Sequence, residues 1–251
     1  MSSPVRRVLF LISATGLIAL LGWGMAGLPE VGDYPGPYGD VLNDHAVEER
    51  HALNVVAAVT FDYRGFDTLG EEFILFAAVI GVALLLRAHR DEQETEAEDE
   101  AETRRPPPTS DAVRLLGLGL VGPTVLFGIY VVAHGHLSPG GGFQGGVILA
   151  TALLLVYLAG RFVTYERLGP ESYIEVAEGA AAAAYVGIGL AGLTLGAAYL
   201  DNFVPLGKIG DLFSAGTIPL INAAVGLEVA AAFVLLCDEF LEQAIVVRRR
   251  P

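Results

Sequence analysis

Four stretches of the chain, residues 8–28, 115–133, 137–160 and 179–200, contain no Asp, Glu, Lys or Arg. Each has roughly the 20 apolar residues that cross a bilayer as a helix. Two more follow the same pattern with an acid admitted: 69–86 opens near Glu71 and Glu72, and 215–237 carries Glu228 in its interior. In both the apolar remainder is long enough to span, and an ionisable side chain inside a span marks a functional position. The pattern predicts an all-α integral membrane protein with six transmembrane helices. Between the first two, the uncharged core at 52–61 is only about ten residues, too short to cross. Residues 45–61 are therefore expected to form an extra amphipathic or re-entrant helix on the outer side.

Composition supports this class, with 53% hydrophobic residues among 251. The formal net charge of -14 is concentrated in residues 91–102, "DEQETEAEDEAE", which hold eight acids in twelve positions. Such a segment has too little apolar surface to fold and reads as a solvated, disordered linker. It divides the chain into a module at 1–90, a linker at 91–110 and a four-helix membrane domain at 111–251. With six spans and a cytoplasmic N-terminus, twelve of the fifteen basic residues fall inside, leaving Arg50, Arg64 and Lys208 outside. That bias places both termini in the cytoplasm and the chain in the cell membrane. The first apolar run exceeds the core of about 7 to 15 residues found in signal peptides, so it is read as an uncleaved anchor. Cys237 is the only cysteine, which excludes a disulfide framework and any cysteine-ligated zinc or iron–sulfur site supplied by this chain alone. No cofactor, catalytic set or nucleic-acid partner is predicted.

"HGHLSPGGGFQGGVILA", residues 134–150, packs six glycines between two apolar runs. A phosphate cradle is excluded, because no Gly-Lys-Ser/Thr follows and the next helix is wholly apolar. His134 and His136 lack a third ligand nearby, so no metal is assigned. Gly141 and Gly145, like Gly142 and Gly146, are four apart and offer a small face for close helix approach. They are read as a packing surface and subunit contact, with Pro139 limiting the preceding helix. Thr68 with Glu71 three residues later fits a capping box; Glu71 is equally a titratable group at the outer end of the second span. Arg64 between Asp62 and Asp67 reads as an exposed ion pair worth under about 1 kcal/mol. Burying an isolated carboxylate costs several kcal/mol unless it is protonated, paired or hydrated. Glu228, flanked on its helix face by Ala224, Ala231 and Ala232, either faces a polar path or partner, or is a protonated acid satisfied locally. Pro123 and Pro219 are predicted to kink their spans, and Asn222 to hydrogen-bond within the bundle.

The stretches "GHLSPGGGFQGGVILA" and "PLGKIGDLFSAGTIPLINAAVGLEV", in this order across 111–251, resemble the B subunit of Mrp-type multisubunit cation/proton antiporters. "LNVVAAVTFDYRGFDTLGEE", residues 53–72, is similar to the C-terminal end of the large A subunit of that family, which in related membrane-bound hydrogenases is a separate E-type subunit. The linker would then be a fusion joint. The resemblance implies a membrane subunit of a sodium/proton antiporter complex, with other complex subunits and membrane lipid as partners and sodium ions and protons as transported species. Glu71 is the glutamate that matches the family motif, and Glu228 is a second candidate for the ion pathway. The intramembrane lysines of the family's pumping subunits are absent, since Lys208 is placed in a loop; this points to an interface and pathway subunit. Two alternatives stay open: a subunit of a hydrogenase-type or complex I-like assembly, and a purely structural helix-packing subunit.

Overall fold

The computed structural model describes residues 3–28, 37–93, 110–159 and 169–244. Among these the chain is all helical: α1 Ser3–Ala26, α2 Tyr38–Arg50, α3 Val55–Ala58, α4 Gly65–Gln93, α5 Asp111–Ala133, α6 Gly142–Ala159, α7 Glu171–Leu195 and α8 Ile218–Ala244. Six are long and apolar enough to cross a membrane: α1, α4, α5, α6, α7 and α8. The described residues fall in two compact units, divided between Val41 and Leu42. Within the first, α1 buries none of its span, so an apolar surface surrounds it, as expected of a helix set in lipid.

The second unit is built around α8, the most enclosed of the spans. It packs against α4, α5, α6 and α7. Its inner face presents Ile218, Ile221, Val225 and Val229 to a core completed by Ala57, Ala58, Phe61, Leu69 and Tyr185. Burial recurs on α4 at Gly65, Thr68, Leu69, Glu72 and Val79, and on α7 at Glu178, Ala181, Tyr185, Gly189 and Gly192, the three-and-four spacing of a helix face. Within the second unit the part of the chain before the linker packs on the part after it, α4 lying against α7 and α8. The acidic linker expected at 91–110 lies almost wholly outside the described residues, and α4 runs on to Gln93.

The structure shifts several boundaries. The fourth span begins at Gly142, because 137–141 belong to the turn. The fifth is Ser172–Leu195 rather than 179–200. Past Gly196 the chain folds back: Asp201 accepts a hydrogen bond from the Ala197 N–H at 2.6 Å, and the Leu200 N–H donates to the Gly189 carbonyl. That return is possible because Gly192 leaves a notch; a methyl group there would lie 2.7 Å from the Asp201 nitrogen. Pro219 stands in the first turn of α8, where the missing N–H costs nothing, so no kink follows from it. Pro123 does lie inside α5.

The expected helix at 45–61 is instead two pieces. α2 ends at Arg50 and Asn54 caps α3, accepting from the Val56 and Ala57 N–H groups. A π-helical turn, Val59–Tyr63, follows. In it the Arg64 N–H reaches back five residues to the Val59 carbonyl, leaving the Thr60 carbonyl without its usual helical donor. The Thr68 hydroxyl fills that vacancy at 2.7 Å. Thr68 is thus committed three residues inside α4 and forms no capping box with Glu71.

Candidate functional site

Three glutamates converge from three helices. Glu72 on α4 is 1% exposed, Glu228 on α8 is 0% and Glu178 on α7 is 4%. Each sits on its helix's inward stripe, so helical periodicity alone brings them together when α8 packs on α4 and α7. The carboxyl groups of Glu72 and Glu228 lie beside each other, and none of their four oxygens has a hydrogen-bond partner among the described residues. Glu178 is close enough to Glu228 to feel its charge, and Glu175, exposed on the same helix, adds a further acid nearby. No basic residue pairs with the three among the described residues. Two carboxylates in contact, out of water and without a counter-cation, cannot both stay ionised at acceptable cost. Such a pair can share one proton between them.

Glu71 points elsewhere. It is exposed on the surface of α4, one residue and about 100° away from the stripe that carries Glu72. The sequence reading singled out Glu228 and Glu71; the structure sets Glu228 beside Glu72. Glu178 was missed because the fifth span was drawn to begin after it. Its signal was the three-and-four spacing that links it to Ala181 and Tyr185.

The glycine turn is packed from within the chain. A methyl group at Gly142 would lie 2.6 Å from the Asn222 carbonyl oxygen, and one at Gly146 would lie 2.8 Å from the Gly226 carbonyl oxygen, both on α8. Gly145 faces the other way, against Gly128 and Val132 of α5. Gly141 has φ +154, a conformation favouring glycine, and lies under the Asn222 side chain. These neighbours all belong to this chain, so the faces assigned to a partner subunit are occupied by α5 and α8. Asn222 makes the bond expected of it, accepting from the Gly142 N–H at 2.8 Å. Asn54 ties the turn to α3, its amide donating towards the carbonyls of Gly135, Ser138 and Gly140 at 2.7, 3.0 and 3.3 Å.

The two histidines of the turn part company. His134 stacks on Tyr130, whereas His136 is fully buried. Burial holds the His136 imidazole below its ordinary range, opposed by the Asp211 and Leu212 backbone. At the same end of the bundle, Asp62 pairs with Arg50 at 2.7 Å and accepts from Asn202 at 2.8 Å. Burial pushes its carboxyl above the usual carboxylate range, and Asn202 and Arg50 pull it back. Arg64 pairs with Asp67 alone, in the open.

Six helices long and apolar enough to cross a membrane, with buried acids between three of them, define a polytopic membrane protein. Two family models match it: a domain related to the MnhB subunit of Na+/H+ antiporters over residues 112–235, and MbhE, the E subunit of MBH, over residues 6–103. The chain belongs to the family of MnhB-domain membrane subunits, with an MbhE domain fused ahead of that domain. It is 33% identical to an uncharacterised protein of Methanocaldococcus jannaschii over 76% of this chain and 80% of that protein. Its fold is similar to a chain in the structure of the membrane-bound sulfane sulfur reductase, an archaeal respiratory membrane complex, with TM-score 0.68, 36% identity and coverage of 94% and 98% of the two chains. It is also similar to a chain of the Mrp complex from Dietzia sp. DQ12-45-1b, with TM-score 0.69 and 25% identity. That match covers 95% of this chain and 26% of the Dietzia chain.

Proposed function

We propose that this chain is a non-catalytic membrane subunit of a multisubunit monovalent cation/proton antiporter, with sodium as the exchanged cation, and that Glu72, Glu228 and Glu178 form part of its ion path. The observation that carries this reading is the contact between Glu72 and Glu228, two buried carboxylates from different helices with no cation to balance them. The family's MnhB description and the likeness to the Mrp complex support the antiporter setting. Glu239, also buried, lies three turns beyond Glu228 on α8 and continues the line of acids towards the far end of the bundle. Both termini are cytoplasmic on this reading, and the glycine turn faces outward. Glu71, exposed at the level of the membrane, faces a partner subunit, since a carboxylate does not stand against lipid without cover.

A second reading is favoured by the likeness to a chain of the sulfane sulfur reductase, which covers nearly the whole of both chains: the same charge handling serves a redox-driven assembly whose electron-carrying groups sit on partner subunits. Purifying the complex from native membranes separates the two, because only the second contains metal-cluster absorption. The ion-path role is tested by Glu228→Gln and Glu72→Gln. At equal complex levels, cation-dependent proton movement in everted vesicles should fall by roughly a hundredfold if the pair exchanges protons. Rates and pH profiles identical to wild type in both variants would reduce the acids to a structural role.

A further inference from the structure

The glycine-turn end of the bundle holds a cavity of about 700 Å³, lined by charged side chains together with Phe66, Leu200 and Leu206. Its wall includes Arg50, Asp62, Arg64, Asp67, Asp201 and the backbone of Gly65. Gly65 is shared between the cavity and the protein interior. Its carbonyl accepts a hydrogen bond from the hydroxyl of Tyr185 at 2.8 Å, and Tyr185 is 0% exposed. The Thr68 hydroxyl, which donates to the Thr60 carbonyl, lies within hydrogen-bonding reach of the same phenolic oxygen as an acceptor. One turn further along the buried face of α4 stands Glu72. From cavity to acid pair, the sequence of groups is Gly65, Tyr185, Thr68, Glu72 and Glu228.

We propose that this cavity is the mouth through which protons reach the Glu72–Glu228 pair, and that Tyr185 is both the barrier behind it and the hydroxyl that passes them on. The proposal rests on the ion-path reading of the pair and adds where the path opens and what closes it. The two guanidinium groups in the wall disfavour a bare metal cation more than a proton carried by water. Both oxygens of Asp62 are engaged, by Arg50 and Asn202. Asp67 is tied to Arg64 and Asp201 to the Ala197 N–H. A dehydrated metal cation would need oxygens free to replace its water shell, and it would meet two guanidinium groups in the same wall. A proton needs only water in the cavity and hydroxyls beyond it. The step is a proton transfer with no net chemistry: a hydronium in the cavity gives up a proton and is left as water, the Tyr185 and Thr68 hydroxyls turn from the Gly65 and Thr60 carbonyls to hand it on, and a carboxylate oxygen of the pair receives it. Phenol and threonine hydroxyls can each donate and accept. The ring of Tyr185 meanwhile excludes bulk water and larger ions.

The test uses the intact complex with Cys237→Ala, so that Glu72→Cys provides the chain's single thiol. Modification by an impermeant, positively charged methanethiosulfonate added from the cavity side should be slow with Tyr185 in place and at least about tenfold faster in Tyr185→Ala, since thiol reactivity follows access. Equal rates, fast or slow, would overturn the barrier. In the chain with Glu72 intact, Tyr185→Phe keeps the ring and removes the hydroxyl, and cation-driven proton movement should slow by roughly tenfold or more. Unchanged movement would overturn the relay. If Tyr185→Ala lowers recovery of the complex, Tyr185→Leu provides the open variant. Should Tyr185 control thiol access while Glu72→Gln and Glu228→Gln transport normally, the cavity and barrier stand and the ion-path reading falls.

Discussion

Replacing Gly146 with Ala adds one methyl group where α6 meets α8. It would lie 2.8 Å from the Gly226 carbonyl oxygen, 2.8 Å from Val229 Cβ and 2.9 Å from Val229 Cγ1. Carbon contacts settle near 3.5–4.0 Å, so the helices must part by roughly 0.7–1 Å, and neither a carbonyl nor a β-branched stem can swing aside. Overpacking of this kind costs about 1–3 kcal/mol, while the gain in helix propensity from Gly to Ala returns at most about 1 kcal/mol. A net loss of about 1–2 kcal/mol corresponds to a fall in Tm of roughly 2–8 °C for a chain of this size. Gly119→Ala on α5 is the internal control, because nothing lies within 4 Å of the added methyl. It should leave stability unchanged or raised. Thermal unfolding of the purified protein in mild detergent, followed by loss of the monodisperse fraction, reads both variants. A Gly146→Ala protein as stable as Gly119→Ala would refute the packing argument. Because Glu228 is two residues from Gly226, the variant that separates α6 from α8 should also disturb exchange, whereas Gly119→Ala should not.

Three further outcomes follow from the same geometry. Asn54→Ala removes the cap of α3 and the donor to three turn carbonyls, a loss of about 2–4 kcal/mol that should appear as a lower Tm and faster proteolysis between Gly135 and Gly142; an unchanged Tm would deny Asn54 its latching role. Burial lowers the affinity of His136 for a proton relative to the unfolded chain, which takes one up near pH 6.5, so stability should fall as pH drops through that value, by up to about 1.4 kcal/mol per pH unit for this group. His136→Gln should flatten that acid limb, and an identical limb would assign it to other groups. A cysteine placed at Tyr38 should react with an impermeant thiol reagent in intact cells while one at Glu96 should not; the reverse pattern would invert the topology.

Much of this architecture is legible in the pattern of apolar runs. All six spans announce themselves by length, since the bilayer imposes one number on every crossing helix. The ends are less legible, because they depend on tertiary events. Residues 196–200 are as apolar as the helix before them, yet the chain leaves α7 there because Gly189 and Gly192 let it fold back. Excluding acids from a span also misplaced its start and hid Glu178. Choosing between Glu71 and Glu72 needed the phase of α4 against α8. Adjacent residues differ by about 100° around a helix, and both glutamates stand at the head of an apolar run. The glycines were readable as a close-approach surface, but not which helix approaches, since carbonyls of this chain and of another subunit are chemically the same.

The division into two matched domains gives the acid pair its meaning. Glu72 comes from the segment that matches MbhE, residues 6–103, whereas Glu178 and Glu228 come from the segment that matches the MnhB-related domain, residues 112–235. Neither segment contains the pair alone. The carboxyl contact exists only where α4 is seated on α8, and the residues that seat it belong to the motifs flanking the acids: Asn54 grips the glycine turn, Asn202 bridges Asp62 to the Thr217 N–H at the head of α8, and Tyr185 holds Gly65. These polar clasps lie between residues 53–72 on one side and 135–217 on the other. Joining the segments in one chain replaces an association between subunits with an intramolecular one, at an effective concentration set by the linker. The acid pair is therefore a product of docking, and on the ion-path reading a substitution that loosens any clasp should reach the acids without touching them.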